Sequence, residues 1–434
     1  NRLSGGFGNP LFWDNLSILF DLVSPLQIPY FHSIWKEMSS TGRKTLPWDL
    51  IRSALDGCVE TTFRAFFMIV AIHYFDCSVI QKSLVASATA VGLILSLVYS
   101  SVSGVWFHRR TVQTFVPYVG IAVGACLAAL AQDGSQFVLG VLLFGMSHSA
   151  RFPSLTALYR DNYRGAVRGQ VLGITTTILV ICGLLVTFLG GKYLDIHLEH
   201  YRVLFLLFAL AALIAGGAVL QMPSGTVQSR RLEPVGAYLR VLKEHPVFAY
   251  MLAYWFIFGL GNLAMEPQMF EMLSQEQYGF CLTPGQIALL IGLVPEIARL
   301  LSLQVWAWIF DRLHIITVRI LINACFLAYT ILYFQASNLE SVMLALILRG
   351  IGLAGGSITW SLWVTKFASP EDTARYMALH TFLTGIRGSL GPYIGYLVVG
   401  TLSLHTAGWI ATGFIFFSTL MVVPLLKRDM QKKV

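Results

Sequence analysis

The sequence predicts an all-α integral membrane protein in which twelve transmembrane helices form two pseudo-symmetric six-helix bundles, with both termini cytoplasmic. Three observations predict it: a charge-poor composition, apolar runs that recur at membrane-spanning length, and a strong alternation of basic residues between successive loops. Of the 434 residues, 56% are hydrophobic and 12% charged, against about a quarter charged in an ordinary soluble domain. A hydrocarbon core of ~30 Å takes about 20 apolar residues of helix, and runs of that kind recur along the chain. They lack the period-two alternation of a membrane barrel, which leaves helices, whose backbone groups are satisfied internally.

The spans are expected at 51–75, 84–107, 115–131, 137–158, 167–189 and 203–222, and again at 247–270, 286–310, 318–334, 342–364, 376–400 and 407–426. Residues 1–46 precede them, and "NPLFWDNLSILFDLVSPLQIPYFHSIW" mixes aromatic and aliphatic residues with prolines. That stretch is too interrupted to cross and reads as an interfacial cytoplasmic helix or as an extension packed beneath the bundle. It has acidic residues and no basic start, so it is not read as a cleaved signal. Bundles over 47–222 and 247–426 are joined by a cytoplasmic linker, 223–246, in which "SGTVQSRRLEP" is flexible and basic. A basic tail, 427–434, ends the chain.

Loop charge tests the span count independently, because Lys and Arg favour the cytoplasmic side. With twelve spans, 22 of the 30 Lys and Arg fall on the side that holds both termini, and only Lys82, Lys192 and Arg202 fall on the other. The net charge of +8 follows from that bias and gives no reason to invoke nucleic acid.

The chain also repeats. "GVWFHRRTVQ" from Gly104 and "AWIFDRLHII" from Ala307 lie 203 positions apart, each at the cytoplasmic end of the second span of its half; Arg168 and Arg375 open the two fifth spans 207 apart. Two six-helix halves with a cytoplasmic linker resemble the major facilitator superfamily, and "AWIFDRLHIITVR" looks like that family's cytoplasmic loop motif. Asp311 and Arg312 match it while Ala307 replaces the glycine; in the first half Gly104 and Arg109 match, but His108 stands in place of the aspartate. The resemblance implies a gating motif that latches neighbouring helices. Asp311 near a helix start would gain roughly 0.3–1 kcal/mol from the helix dipole, so an asymmetric gate is expected with its stronger latch there. For His108 the plainer reading is a solvated loop residue.

Charges inside spans are costly enough to be functional candidates, and a midplane cavity between the halves is the expected binding place. Asp56, Glu60 and Arg64 are spaced four apart on the first span, on one helix face. They read either as a proton- or substrate-coupling stripe or as a structural ion pair, with Asp56 also able to reach the cytoplasmic headgroups. The other candidates are Arg151 with neighbouring His148, Glu266, Glu296, Arg299, Arg349 and Arg387. Glu296 and Arg299 are close enough to satisfy each other. Arg151, Arg349 and Arg387 have no local partner, which favours an anionic or zwitterionic solute; the alternative is pairing with acids on other helices. Arg349 also resembles an arginine the family often carries in its fourth span, although Leu142 occupies the repeat-equivalent place.

Tyr254, Trp255, Trp360 and Trp363 either line a cavity or pack. "GIRGSLGPYIG", residues 385–395, resembles the glycine-proline signature of family antiporters but sits in the other half, and its physical reading is close helix packing. "GIGLAG", residues 350–355, has dinucleotide-fingerprint letters inside an apolar run with no strand before it; small residues there let helices approach. "GGK", residues 190–192, lacks the rest of a phosphate loop. His197 and His200 with Asp195 form a metal candidate or a solvated loop, and Cys77 and Cys281, both on the outer side, are a conceivable disulfide.

The function these features imply is secondary active transport of a small organic solute by alternating access, coupled to protons, with no enzyme activity, cofactor or metal. The expected partners are the solute, H+ and the lipid bilayer, with a monomer as the unit. The alternatives are a drug or lipophilic-compound efflux antiporter and a non-transporting sensor or lipid-handling protein on the same scaffold. The short loops suit a bacterial inner membrane.

Overall fold

The computed structural model describes residues 34–225, 235–368 and 373–430. Helix α1 runs Ser40–Thr61, passes through a π-helical turn, Thr62–Phe66, and ends as Phe67–His73. It is followed by α2 (Val79–Trp106), α3 (Arg110–Leu130), α4 (Gly134–Asn162), α5 (Gly165–Ile196) and α6 (Tyr201–Leu220). A short α7 (Val235–Glu244) precedes α8 (Pro246–Ser274). Then come α9 (Pro284–Ala288, a π turn Leu289–Leu293, then Val294–Arg312), α10 (Ile315–Phe334), α11 (Leu339–Leu362), α12 (Thr373–Thr401) and α13 (Leu404–Met430). Nearly all of the predicted interfacial stretch, and most of the basic stretch "SGTVQSRRLEP" of the linker, lie outside the described residues.

Local chemistry sets the helix starts. Ser39 accepts from the Gly42 amide, Ser78 and Gln81 form a capping box, Asp133 accepts from the Ser135 and Gln136 amides, and Thr283 with Gln286 forms a second box. Each satisfies amides that a first helical turn leaves unpaired. Ser39 explains why α1 begins well before the expected 51. Among the described residues nine helices are long and apolar enough to cross a membrane. The three other long helices are α1, α4 and α12, which carry Asp56, Glu60, Arg64, His148, Arg151, His380 and Arg387.

Glycines let backbones meet where the Gly-Pro cluster was read as close packing. A Cβ on Gly388 would come within 2.7 Å of the Ala90 Cβ on α2, and one on Gly391 within 3.2 Å of the Ala264 amide on α8. Large apolar side chains such as Leu301, Leu397 and Phe417 are exposed on outer faces, as hydrocarbon surroundings allow. Ile34 and Met38 pack against Leu46, Leu50, Tyr159 and Tyr163 beneath the first bundle.

The loop motif departs from expectation. Asp311 lies in the last turn of α9, not at a helix start, and α10 is capped by His314, which accepts from the Ile316 amide at 3.3 Å. Residue 311 therefore falls at the negative end of the α9 dipole; its side chain is outside the described residues. Arg312 lies over the Trp308 ring at 4.3 Å. In the first half Gly104 is near the end of α2, while His108 and Arg109 are exposed between α2 and α3. It is Arg110, one residue on, whose Nε donates to Asp161 at 2.8 Å.

Candidate functional site

Two carboxylates on α1 organise the first bundle. Asp56, 1% exposed, accepts from Arg151 Nη1 at 2.5 Å, from the Tyr118 hydroxyl at 3.0 Å and from Arg52. Asp49, two helical turns earlier, accepts from Arg52 Nε at 2.8 Å and from the hydroxyls of Tyr159 at 2.9 Å and Tyr163 at 3.0 Å. Burial of four ions is tolerable only with this degree of pairing. Asp56 thus does not reach the headgroups: it points into the bundle, and the partner Arg151 lacked locally is an acid 95 residues away in sequence.

One turn along α1, the chemistry changes from sealed to accessible. Glu60 Oε1 accepts from Arg64 Nε at 2.8 Å, and Glu60 Oε2 lies 2.9 Å from His148 Nε2. The same His148 nitrogen is 3.0 Å from Arg151 Nη2. It faces an acceptor and a donor at once, so whether it carries the proton satisfies only one of them. Arg64, in the π turn, then crosses to the second half and donates from Nη1 to Glu296 Oε1 at 2.6 Å; Glu296 also takes Arg299 at 3.0 Å. The side chains of Arg64, Glu60 and Glu296 keep 41%, 23% and 15% of their exposure, because they line a cavity.

That cavity, of about 650 Å³, lies between α1, α4, α5 and α9 and reaches Arg160 and Arg168 at one end and Thr187 and Gly292 at the other. Six arginines and three carboxylates line it among the described residues. A smaller cavity of about 190 Å³ holds the other side of Arg64 together with Glu266. Glu266 pairs with Arg349 at 2.8 Å, so Arg349 too finds its acid on another helix. Beyond the cavities, the halves are joined at the ends opposite Arg160. His73 meets Ser274 at 3.1 Å, Lys82 meets Glu271 at 2.5 Å, and Asp195 accepts from the Gly285 amide at 2.8 Å.

A family model described as Major Facilitator Superfamily matches residues 53–392 and 275–434. The chain belongs to the major facilitator superfamily. A curated relative, the uncharacterized MFS-type transporter YuxJ of Bacillus subtilis (strain 168), is 29% identical over 136 residues, which is 30% of this chain; the chain spans about a third of the length of that relative, 33%. Among solved structures, the nucleoside transporter NupG superposes with a TM-score of 0.67 at 14% identity, covering 88% of this chain and 99% of its own. The human organic anion transporter MFSD10 (TETRAN) gives 0.63 at 14%, covering 88% and 100%. A POT family transporter in complex with thioalcohol conjugated peptide gives 0.64 at 13%, covering 89% and 96%. At these identities the structures share the fold. This superfamily member is therefore a multi-pass membrane protein of a transporter family.

Several residues of the superfamily scaffold escape sequence reasoning. Arg52 and Arg319 count as cytoplasmic loop charges in the sequence, yet both are buried inside helices. Asp49, Tyr118 and Tyr159 give no signal beyond a polar residue in an apolar run. Of the four aromatic candidates, none lines either cavity: Tyr254, Trp255 and Trp363 are buried, and half-buried Trp360 lies with its ring centre 5.5 Å from that of His380, the two rings tilted. Among the described residues no group of three or more His, Cys, Asp or Glu is placed to hold a metal ion; Asp195 accepts from the Gly285 amide and His200 Nδ1 lies 3.3 Å from the Tyr193 carbonyl. Cys77 and Cys281 are both free thiols.

Proposed function

We propose that the chain is a secondary active transporter that moves a small anionic or zwitterionic solute by alternating access, coupled to protons. In this reading it has twelve spans, cytoplasmic termini and one chain as the working unit. The observation that carries it is the 650 Å³ cavity, open beside Arg160, where arginines outnumber carboxylates two to one. Such a surplus favours a carboxylate- or phosphate-bearing solute. The Glu60–His148 contact, in which a proton has two alternative owners within 2.9 Å, supports the coupling. The polar bridges at His73, Lys82 and Asp195 close the opposite end, which corresponds to an inward-open state.

Internal pH in proteoliposomes tests the function. Organic anions and zwitterions added in turn are expected to drive proton movement with the wild type and none above background with Glu60→Gln. The variant is expected to keep the fold, because Arg64 still has Glu296 as its acid. Equal proton movement with both proteins would refute coupling at Glu60.

Sidedness has a separate test. Cys281 is exposed, whereas burial pushes the Cys77 thiol up to about 11, and only a thiolate alkylates readily. A membrane-impermeant maleimide applied outside intact cells at neutral pH is expected to label Cys281 alone. Absence of outside labelling, with labelling in inverted vesicles, would reverse the orientation.

A further inference from the structure

The second bundle carries two deeply buried arginines, and no carboxylate among the described residues neutralises either. Arg319 on α10 is 1% exposed and Arg387 on α12 is 6% exposed. Arg319 donates to the Tyr254 hydroxyl at 2.9 Å and to Thr359 Oγ1 at 3.3 Å, and its guanidinium lies 3.9 Å from the centre of the Trp255 ring. Arg387 donates to the Trp255 carbonyl, and its Nε has no partner. The contrast with the first bundle is direct, because there Arg52 and Arg151 are met by Asp49 and Asp56. A buried charge without a counter-ion is costly.

Around these arginines three more buried polar atoms are unpaired: Trp255 Nε1, Trp363 Nε1 and His380 Nε2. The rings that bear them are packed together, Trp255 and His380 at 5.1 Å, Trp363 and His380 at 5.2 Å, and Trp255 and Trp363 at 5.9 Å. Buried polar groups are paired as a rule, so four orphans in one cluster call for an occupant. Indole and guanidinium nitrogens only donate. What they take is an acceptor, and two formal positive charges make that acceptor an anion.

We propose that Arg319, Arg387, Trp255, Trp363 and His380 form an oxyanion site inside the second bundle, separate from the large cavity, that takes a carboxylate or phosphate group. The site stands on its own geometry; it rests on the transport reading only for whether the anion is a free ion or the acid group of the cargo.

The test uses purified full-length protein, titrated with inorganic phosphate, acetate, lactate and citrate while tryptophan fluorescence and melting temperature are followed. Saturable fluorescence change and stabilisation are expected in the wild type, since a ligand that binds only the folded state raises its stability. Arg387→Gln is expected to weaken binding roughly tenfold or more, the scale of one hydrogen bond to a charged group, while leaving the anion-free protein at least as heat-stable. Should that variant fail to fold, Trp255→Phe removes a donor and keeps a ring, and the same loss is expected. Saturation by phosphate supports a free anion at the site, and saturation by the carboxylates alone supports a cargo's acid group. No saturable change with any of the four, or binding unaltered in both variants, would overturn the site. Solute flux with no anion signal would remove this site and spare the transport reading; an anion signal with no flux would do the reverse.

Discussion

Replacing Asp56 with asparagine is expected to destabilise the folded protein by about 3–5 kcal/mol, the range for breaking a buried ion pair from one side. The amide keeps the shape of the carboxylate, but Arg151, 2% exposed, then has no carboxylate of its own. Arg52 retains Asp49, so the loss falls mainly on the contact between α1 and α4. A melting curve by tryptophan fluorescence, with size-exclusion chromatography to score folded, unaggregated protein, measures it. Adding Arg151→Gln to Asp56→Asn is expected to recover most of the loss, because both members of the pair are then neutral. A single variant that melts with the wild type would show that the pair does not hold the bundle.

The second large effect is expected from Gly395→Leu. A Cβ at Gly395 overlaps the Ala264 backbone of α8, with the Ala264 Cα at 3.2 Å. Backbone cannot rotate away as a side-chain tip can, so α8 and α12 have to separate. Overpacking of this kind costs about 3 kcal/mol. Gly413→Leu is the matched control, because nothing lies within 4 Å of a Cβ at Gly413. Equal thermal stability of the two variants would refute the packing role of Gly395.

The helical membrane class and the superfamily were legible because they are written in averages: composition, run length and the sign of loop charge. Close packing at Gly388 and Gly391 was legible too, since small residues clustered in a span have few other uses. The site was legible in its members and less so in its connections. Asp56, Glu60, Arg64, Arg151 and Glu296 were singled out as charges in apolar surroundings, but the pairing of Asp56 with Arg151 and of Arg64 with Glu296 joins residues 95 and 232 positions apart, and spacing along one helix says nothing about such contacts. Arg52 and Arg319 were misplaced for a related reason. Each is the second residue of an expected span, where a basic side chain counts with the cytoplasmic boundary, while Ser39 and His314 start the helices earlier and carry both arginines deeper inside. Asp311 looked like a helix-start anion because an apolar run follows it soon after; α9 continues through it instead.

The two π-helical turns, Thr62–Phe66 in α1 and Leu289–Leu293 in α9, change what insertions and deletions mean in this chain. A π turn holds one residue more than the α-helical register needs, and one residue of α-helix corresponds to about 100° of rotation at 3.6 residues per turn. Deleting a single residue from Thr62–Phe66 would restore ordinary register locally and leave α1 unbroken. It would leave Phe67, packed between Phe137, Phe144 and Phe205, facing much as before relative to Glu60, because the wide turn already absorbs the extra residue; the same deletion one turn away, in plain α-helix, would rotate it by that angle. The turn therefore acts as slack between the charged lower part of the helix and its aromatic upper part, and homologues one residue shorter here would carry the same side chains on the same faces.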